Sequence, residues 1–260
     1  MSESRLIVER DGPIGVMAFD NPTRRNAISG VMWRAIPQAM AEFDADPEIR
    51  CVILRGEGTA AFAAGADISE FEKRRASEDS IKEYEGTVEA AQHALEGSRK
   101  PVIALIHGFC IGGGVEMALA CDLRYAGASS QFAIPAARLG IGYGVHGTNR
   151  LVATVGHAAA REIMFTGRRY DAEQALAMGL VNRVLPDAEL DAYVRELALE
   201  LAVNAPLSMA TSKAIIDAVI SPRGDFARGE SLIRACMQSE DYIEGRRAFM
   251  QKRRPQFKGR

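Results

Sequence analysis

Glu116 is the only acid in the apolar run Val115-Glu-Met-Ala-Leu-Ala120, and it stands two residues beyond three consecutive glycines, Gly112 to Gly114. Peptide N–H groups at a helix start have no partner within the helix, and residues without a Cβ let another molecule approach that backbone closely. The stretch therefore suits negative charge. A carboxylate there serves either as a partner of the helix charge or as a proton-transfer group. A second small-residue stretch, Gly56-Glu-Gly-Thr-Ala-Ala-Phe-Ala-Ala-Gly-Ala-Asp67, could supply a backbone donor at Gly65-Ala66. One donor from that loop and one from Gly113 would hold a carbonyl oxygen that is becoming an enolate, provided the two segments lie side by side. The bland reading is that such glycines only permit tight turns.

Other patterns carry less. Gly142-Tyr-Gly-Val-His-Gly147 matches the dinucleotide signature GxGxxG, but the residues before it do not read as a strand, and the next acid, Asp171, lies too far along. There is no GK[ST] phosphate loop and no GxSxG elbow. His146 is an imidazole that can titrate near neutrality, or simply a surface histidine at a helix start. His93, His107, His146 and His157 form no HExxH pattern, and Cys51, Cys110, Cys121 and Cys236 form no CxxC pair. Metal chemistry has little support in these spacings, and the cysteines read as buried thiols of a reducing compartment.

The elements that must position these groups alternate strand and helix. Arg5 to Arg10 and Ile14 to Phe19 read as a hairpin about Asp11-Gly12-Pro13, and Ser29 caps a helix through about Phe43. Cys51 to Leu54 is a strand, the residues from Ile68 could start a helix, and 77–97 is helical. Pro101 to Ile106 is a continuous apolar run, as expected of a strand covered on both faces. Two short strands follow at 122–126 and 130–133, then a turn-rich loop at 134–144. Beyond it helices are expected at 147–155, 158–165, 172–178, 187–203, 206–220 and 225–253, with a strand at Val181 to Val184. This order indicates an α/β fold with helices covering a sheet.

With 260 residues, 47% apolar and 25% charged, the chain suits one large domain or a domain with a small appendage. Its formal charge of -2 provides no general attraction to nucleic acid or an anionic membrane. No apolar run reaches the roughly 18 residues that span a bilayer, and a cytoplasmic location is the expectation. The positively charged ending, Lys252-Arg-Arg-Pro-Gln-Phe-Lys-Gly-Arg260, is either a solvated tail or a phosphate contact.

Several motifs in order, Phe62-Ala-Ala-Gly-Ala-Asp-Ile68, Gly112-Gly-Gly-Val-Glu116, Gln131-Phe with Pro135, Leu139-Gly140 and Gly147-Thr-Asn-Arg-Leu151, strongly resemble the crotonase (enoyl-CoA hydratase/isomerase) superfamily. The resemblance covers nearly the whole chain. It implies a spiral of ββα units over residues 1–200, then a helical region, 201–260, that forms trimers and a lid over coenzyme A. It implies a homo-trimer or dimer of trimers, an acyl-CoA substrate, and no tightly bound cofactor, coenzyme A being part of the substrate. It assigns the oxyanion donors to Ala66 and Gly113. Ala64, Ala66, Asp67 and Ile68 would receive the adenine, with Arg25 and Lys252 near the phosphates. Glu116 matches the first catalytic glutamate of the hydratases, and Gly144 the residue whose N–H helps hold the attacking water. The second glutamate would fall on Ala136, which cannot transfer a proton. Tyr143 is similar to a tyrosine of the methylmalonyl-CoA decarboxylase branch, which faces the departing carboxylate; it could equally wall the acyl pocket. Hydration of an enoyl-CoA is the leading expectation. Decarboxylation, double-bond isomerisation and a non-catalytic coenzyme A-binding protein are the alternatives.

Overall fold

The computed structural model describes residues 4–67, 70, 77–220 and 224–260. The chain opens with a hairpin, β1 (Arg5–Asp11) and β2 (Ile14–Asp20), followed by α1 (Gly30–Ala45). Three turns of the same plan come next, each giving one strand to a large sheet, one to a small sheet, and then a helix. They are β3 (Cys51–Gly56), β4 (Ala61–Ala63) and α2 (Glu78–Gly97); β5 (Val102–Ile106), β6 (Phe109–Ile111) and α3 (Gly113–Ala120); β7 (Leu123–Gly127), β8 (Gln131–Ala133) and α4 (Ala136–Leu139). The large sheet has the order β1-β2-β3-β5-β7-β10 and the small one β4-β6-β8-β9, where β9 is Tyr170–Asp171 and β10 is Arg183–Leu185. Among these pairs only β1 with β2 and β8 with β9 run antiparallel. This is the expected spiral of ββα units.

Every residue of β5 is buried, and its alternation divides the molecule's interior. Val102, Ala104 and Ile106 join the main core, which α1, α2 and α3 cover, whereas Ile103 and Leu105 join a second core on the opposite face. That second core is closed by Leu190, Val194 and Ala198 of α7 (Asp187–Ala202). Each fully buried aliphatic side chain contributes about 1.5–3 kcal/mol, so a strand covered on both sides is worth more than an edge strand. Ser29 caps α1 as expected, its side chain accepting from Met32 N–H.

Five readings need adjustment. The stretch expected as loop or bare junction carries the short strands β4 and β6, which at three residues each are too short to leave a period-2 signature. The turn-rich loop at 134–144 contains the single-turn α4, closed by Gly140 at φ 65°. The helices expected at 147–155 and 158–165 form one element, α5 (Val145–Thr166), broken at Gly156, where φ is 76°. The helix expected over 225–253 is two, α9 (Phe226–Gln238) and α10 (Glu240–Met250). Ser239 separates them because its extended backbone ends the first, and its hydroxyl accepts from Tyr242 N–H to start the second. The strand expected at Val181 lies slightly later, at β10. Between α5 and α9 run α6 (Ala172–Ala177) before β10 and α8 (Pro206–Ile220) after α7, and α8 packs on α9. The helix start expected at Ile68 lies outside the described residues.

Candidate active site

Gly113 is the first residue of α3, so its N–H lacks a partner within the helix. The loop that follows β4 lies directly against it. A Cβ built on Gly113 would meet Ala66 N at 3.4 Å and Trp33 Cζ2 at 3.4 Å, and one on Gly114 would meet Ala63 O at 2.4 Å. Only residues without a side chain let the helix start and the loop come this close. Ile28 donates to Gly65 O at 2.8 Å and accepts from Asp67 N–H at 3.0 Å. In such parallel pairing the intervening residue turns its own groups to the other side, so Ala66 N–H points away from Ile28. The fold therefore brings together the two segments whose proximity the sequence left open.

A buried polar network sets the loop's course. Asn26 donates to Ala61 O at 2.7 Å and to Glu57 O at 3.0 Å, and Arg25 O accepts from Ala64 N–H at 3.0 Å. The Arg25 guanidinium lies 4.6 Å over the Phe109 ring. Asp67 turns its carboxylate into the protein, where Arg24 Nη1 donates to it at 2.7 Å. Its side chain thus braces the loop, and what the loop presents outward is mainly backbone. Ile68 lies outside the described residues.

Glu116 sits in the first turn of α3, half-buried. Burial raises its carboxyl to about 7, against a hydrogen bond from Tyr143 that pulls it down. The single Tyr143 O–H proton is shared with Gly112 O, to which it donates at 3.3 Å, and burial together with the Glu116 carboxylate holds its pKa well above the usual tyrosine value. Tyr143 is therefore a neutral donor at physiological pH. Gly147, on the first turn of α5, closes the arrangement: a Cβ there would lie 2.9 Å from Glu116 Oε1 and 3.2 Å from Tyr143 Cε1. Gly144 is the N-cap of α5 and is exposed. Ala136 is buried at the start of α4.

The remaining nominees lie elsewhere. His146, the imidazole at the start of α5, is tied to Glu96, with its Nε2 2.9 Å from both carboxylate oxygens. Lys252 is exposed in the turn after α10, and among the described residues no hydrogen bond, ion pair or ring contact joins it to the Ala64 loop. Sequence reasoning missed two things here. Trp33 walls the Gly113 junction although nothing but its place early in α1 pointed there, and the Tyr143–Glu116 contact depends on a loop of no regular period.

The chain matches the enoyl-CoA hydratase/isomerase family over residues 9–260. It is 34% identical over 263 residues to the short-chain-enoyl-CoA hydratase of Clostridium acetobutylicum, covering 100% of both chains. It is 37% identical over 270 residues to the carnitinyl-CoA dehydratase of Salmonella typhi, again covering 100% of both. Among solved structures, an enoyl-CoA hydratase/carnithine racemase from Magnetospirillum magneticum superposes with a TM-score of 0.94 at 36% identity, over 100% of this chain and 97% of that one. Agreement in sequence and in backbone along the full length makes this chain an enzyme of the enoyl-CoA hydratase/isomerase family, the crotonases.

Proposed function

We propose that this enzyme adds water to the double bond of a 2-enoyl-CoA, with no tightly bound cofactor. The observation that carries the reading is Glu116, with its carboxyl raised to about 7, held by Tyr143 beside the Ala66–Gly113 junction. The N–H groups of Ala66 and Gly113 hold the thioester oxygen, and each such donor is worth about 3 kcal/mol in the transition state. Ionised Glu116 takes a proton from water as its oxygen bonds to the β-carbon, and negative charge collects on the thioester oxygen. The same carboxyl, now protonated, returns that proton to the α-carbon, so water is added across the double bond and the enzyme is regenerated. A carboxyl titrating near neutrality suits both halves. Ala136 removes the second acid that would otherwise share the work. Gly144 N–H assists the water, and Tyr143 fixes the carboxylate that receives the proton.

In this reading Ala64, Ala66, Asp67 and Ile68 receive the adenine, and Arg25 lies near the phosphates. Lys252 reaches the phosphates of a neighbouring subunit's ligand, which fits its exposure at the end of α10. Residues 1–200 form the catalytic unit and 201–260 the trimer contacts and lid. The free cysteines, three of them buried, fit a cytoplasmic setting; no helix among the described residues is long and apolar enough to cross a membrane.

Tyr143 and the missing acid at Ala136 favour decarboxylation as the second reading, because loss of carbon dioxide needs the enolate hole and no second carboxyl. One experiment separates the two. Crotonyl-CoA incubated with the enzyme should gain one water by mass spectrometry, and Glu116→Gln should lower that rate about 100-fold or more. No water gained with either short or long enoyl chains, together with carbon dioxide released from malonyl-type thioesters, would replace hydration with the second reading.

A further inference from the structure

Three side chains that the reaction does not use converge behind the active site. His93 and Glu96 are three residues apart on α2 and so share a face, and His146 reaches them from the start of α5. One potential ligand atom from each lies within 4.8 Å of the others. The two imidazole rings are 4.6 Å apart, and His146 Nε2 is already 2.9 Å from the Glu96 carboxylate oxygens.

From these positions we propose that His93, Glu96 and His146 form a binding site for a zinc-type divalent ion that fastens the start of α5 to α2. Two imidazoles and one carboxylate are a donor set for zinc or cobalt, whereas magnesium and calcium prefer all-oxygen sites. Metal–ligand bonds of this kind put tetrahedral ligand atoms about 3.3 Å apart. The Glu96–His146 pair is close to that spacing, and the exposed His93 is free to rotate inward. Arg150 pairs with Glu96 Oε1. Ligating carboxylates are commonly hydrogen-bonded by outer groups in this way, and Oε2, which faces His146 Nε2 at 2.9 Å, is the oxygen on the ion's side. Exposure on the His93 side provides the entry path and room for a water as fourth ligand.

The site would bear on the active site through one residue. Gly147 follows His146 directly, and it packs so near Glu116 and Tyr143 that a Cβ on it would lie 2.9 Å from Glu116 Oε1 and 3.2 Å from Tyr143 Cε1. An ion gripping His146 therefore pins the segment that packs on the catalytic carboxylate, without entering the substrate's space.

Cobalt provides a readout independent of turnover. Metal-free protein titrated with Co²⁺ should develop the visible absorption of a four-coordinate complex, saturating at a single ion per chain and lost on addition of Zn²⁺. His93→Ala and Glu96→Gln should each weaken binding about tenfold or more. Their far-ultraviolet circular dichroism should match the unsubstituted protein, since His93 is on the surface and Glu96→Gln is isosteric. His157→Ala, at the exposed histidine further along α5, should bind like the unsubstituted protein. Absence of the band, equal affinity in the His93 and Glu96 variants, or a loss caused by His157→Ala alone would each overturn the site.

Discussion

At the scale of single residues, Glu116 shows how position remakes an ordinary side chain. An exposed glutamate is ionised throughout the neutral range, but this carboxyl is raised to about 7 because burial disfavours its charge. As a base toward water it must be ionised in the free enzyme. Hence kcat/KM should climb with pH through an inflection near 7 and level off above it. The Tyr143 hydroxyl stabilises the ionised form and so opposes the rise. Tyr143→Phe should accordingly move the inflection to higher pH, measurable in a pH–rate series with crotonyl-CoA. A shift to lower pH would show that Tyr143 does not donate to Glu116 in the working enzyme.

At the scale of elements, the site depends on how closely α3 approaches the loop after β4. A methyl group at Gly114 would sit 2.4 Å from Ala63 O, a backbone atom that cannot rotate away. Either the helix start or the loop has to shift, which separates Gly113 from Ala66. Gly114→Ala should therefore cost about 1–3 kcal/mol in urea unfolding and also depress turnover in the protein that remains folded. Gly86→Ala is the matching control. It lies exposed on α2 with nothing within 4 Å of its Cβ position, and should be neutral or stabilising by about 0.5–1 kcal/mol. Equal behaviour of the two variants would mean that the close approach has no energetic importance.

At the scale of the whole molecule, the last two helices hold more apolar surface outward than a lone chain needs. Phe249 and Met250 are 82% and 80% exposed, and Phe226, Met237 and Ile243 are each more than half exposed. Contiguous apolar surface on a folded protein commonly marks a site of association. We expect self-association, with light scattering reporting a trimer or a multiple of it. Phe249→Glu should shift the population toward monomer while circular dichroism stays unchanged. A protein that is monomeric without substitution would remove both the assembly and the reach of Lys252 to a neighbour's ligand.

Much of this was readable from order along the chain. The apolar run at 102–106, the Ser29 cap and the motifs around Gly112 to Glu116 are local, so periodicity, capping chemistry and family resemblance identify them without coordinates. The short strands β4 and β6 were not readable, because three residues carry too little pattern and their partners are distant. Nor was the break at Ser239, since helical composition continues on both sides and only the serine's own backbone turns. For the site, the sequence by itself determined the chemical types: a small-residue loop, a glycine-led helix, one carboxylate, and an alanine where a second acid would stand. The tertiary structure decided which of them meet. It placed Ala66 on Gly113, set Tyr143 on Glu116, turned Asp67 inward and gave His146 to Glu96. These are contacts between segments tens of residues apart, governed by packing rather than by any spacing along the chain.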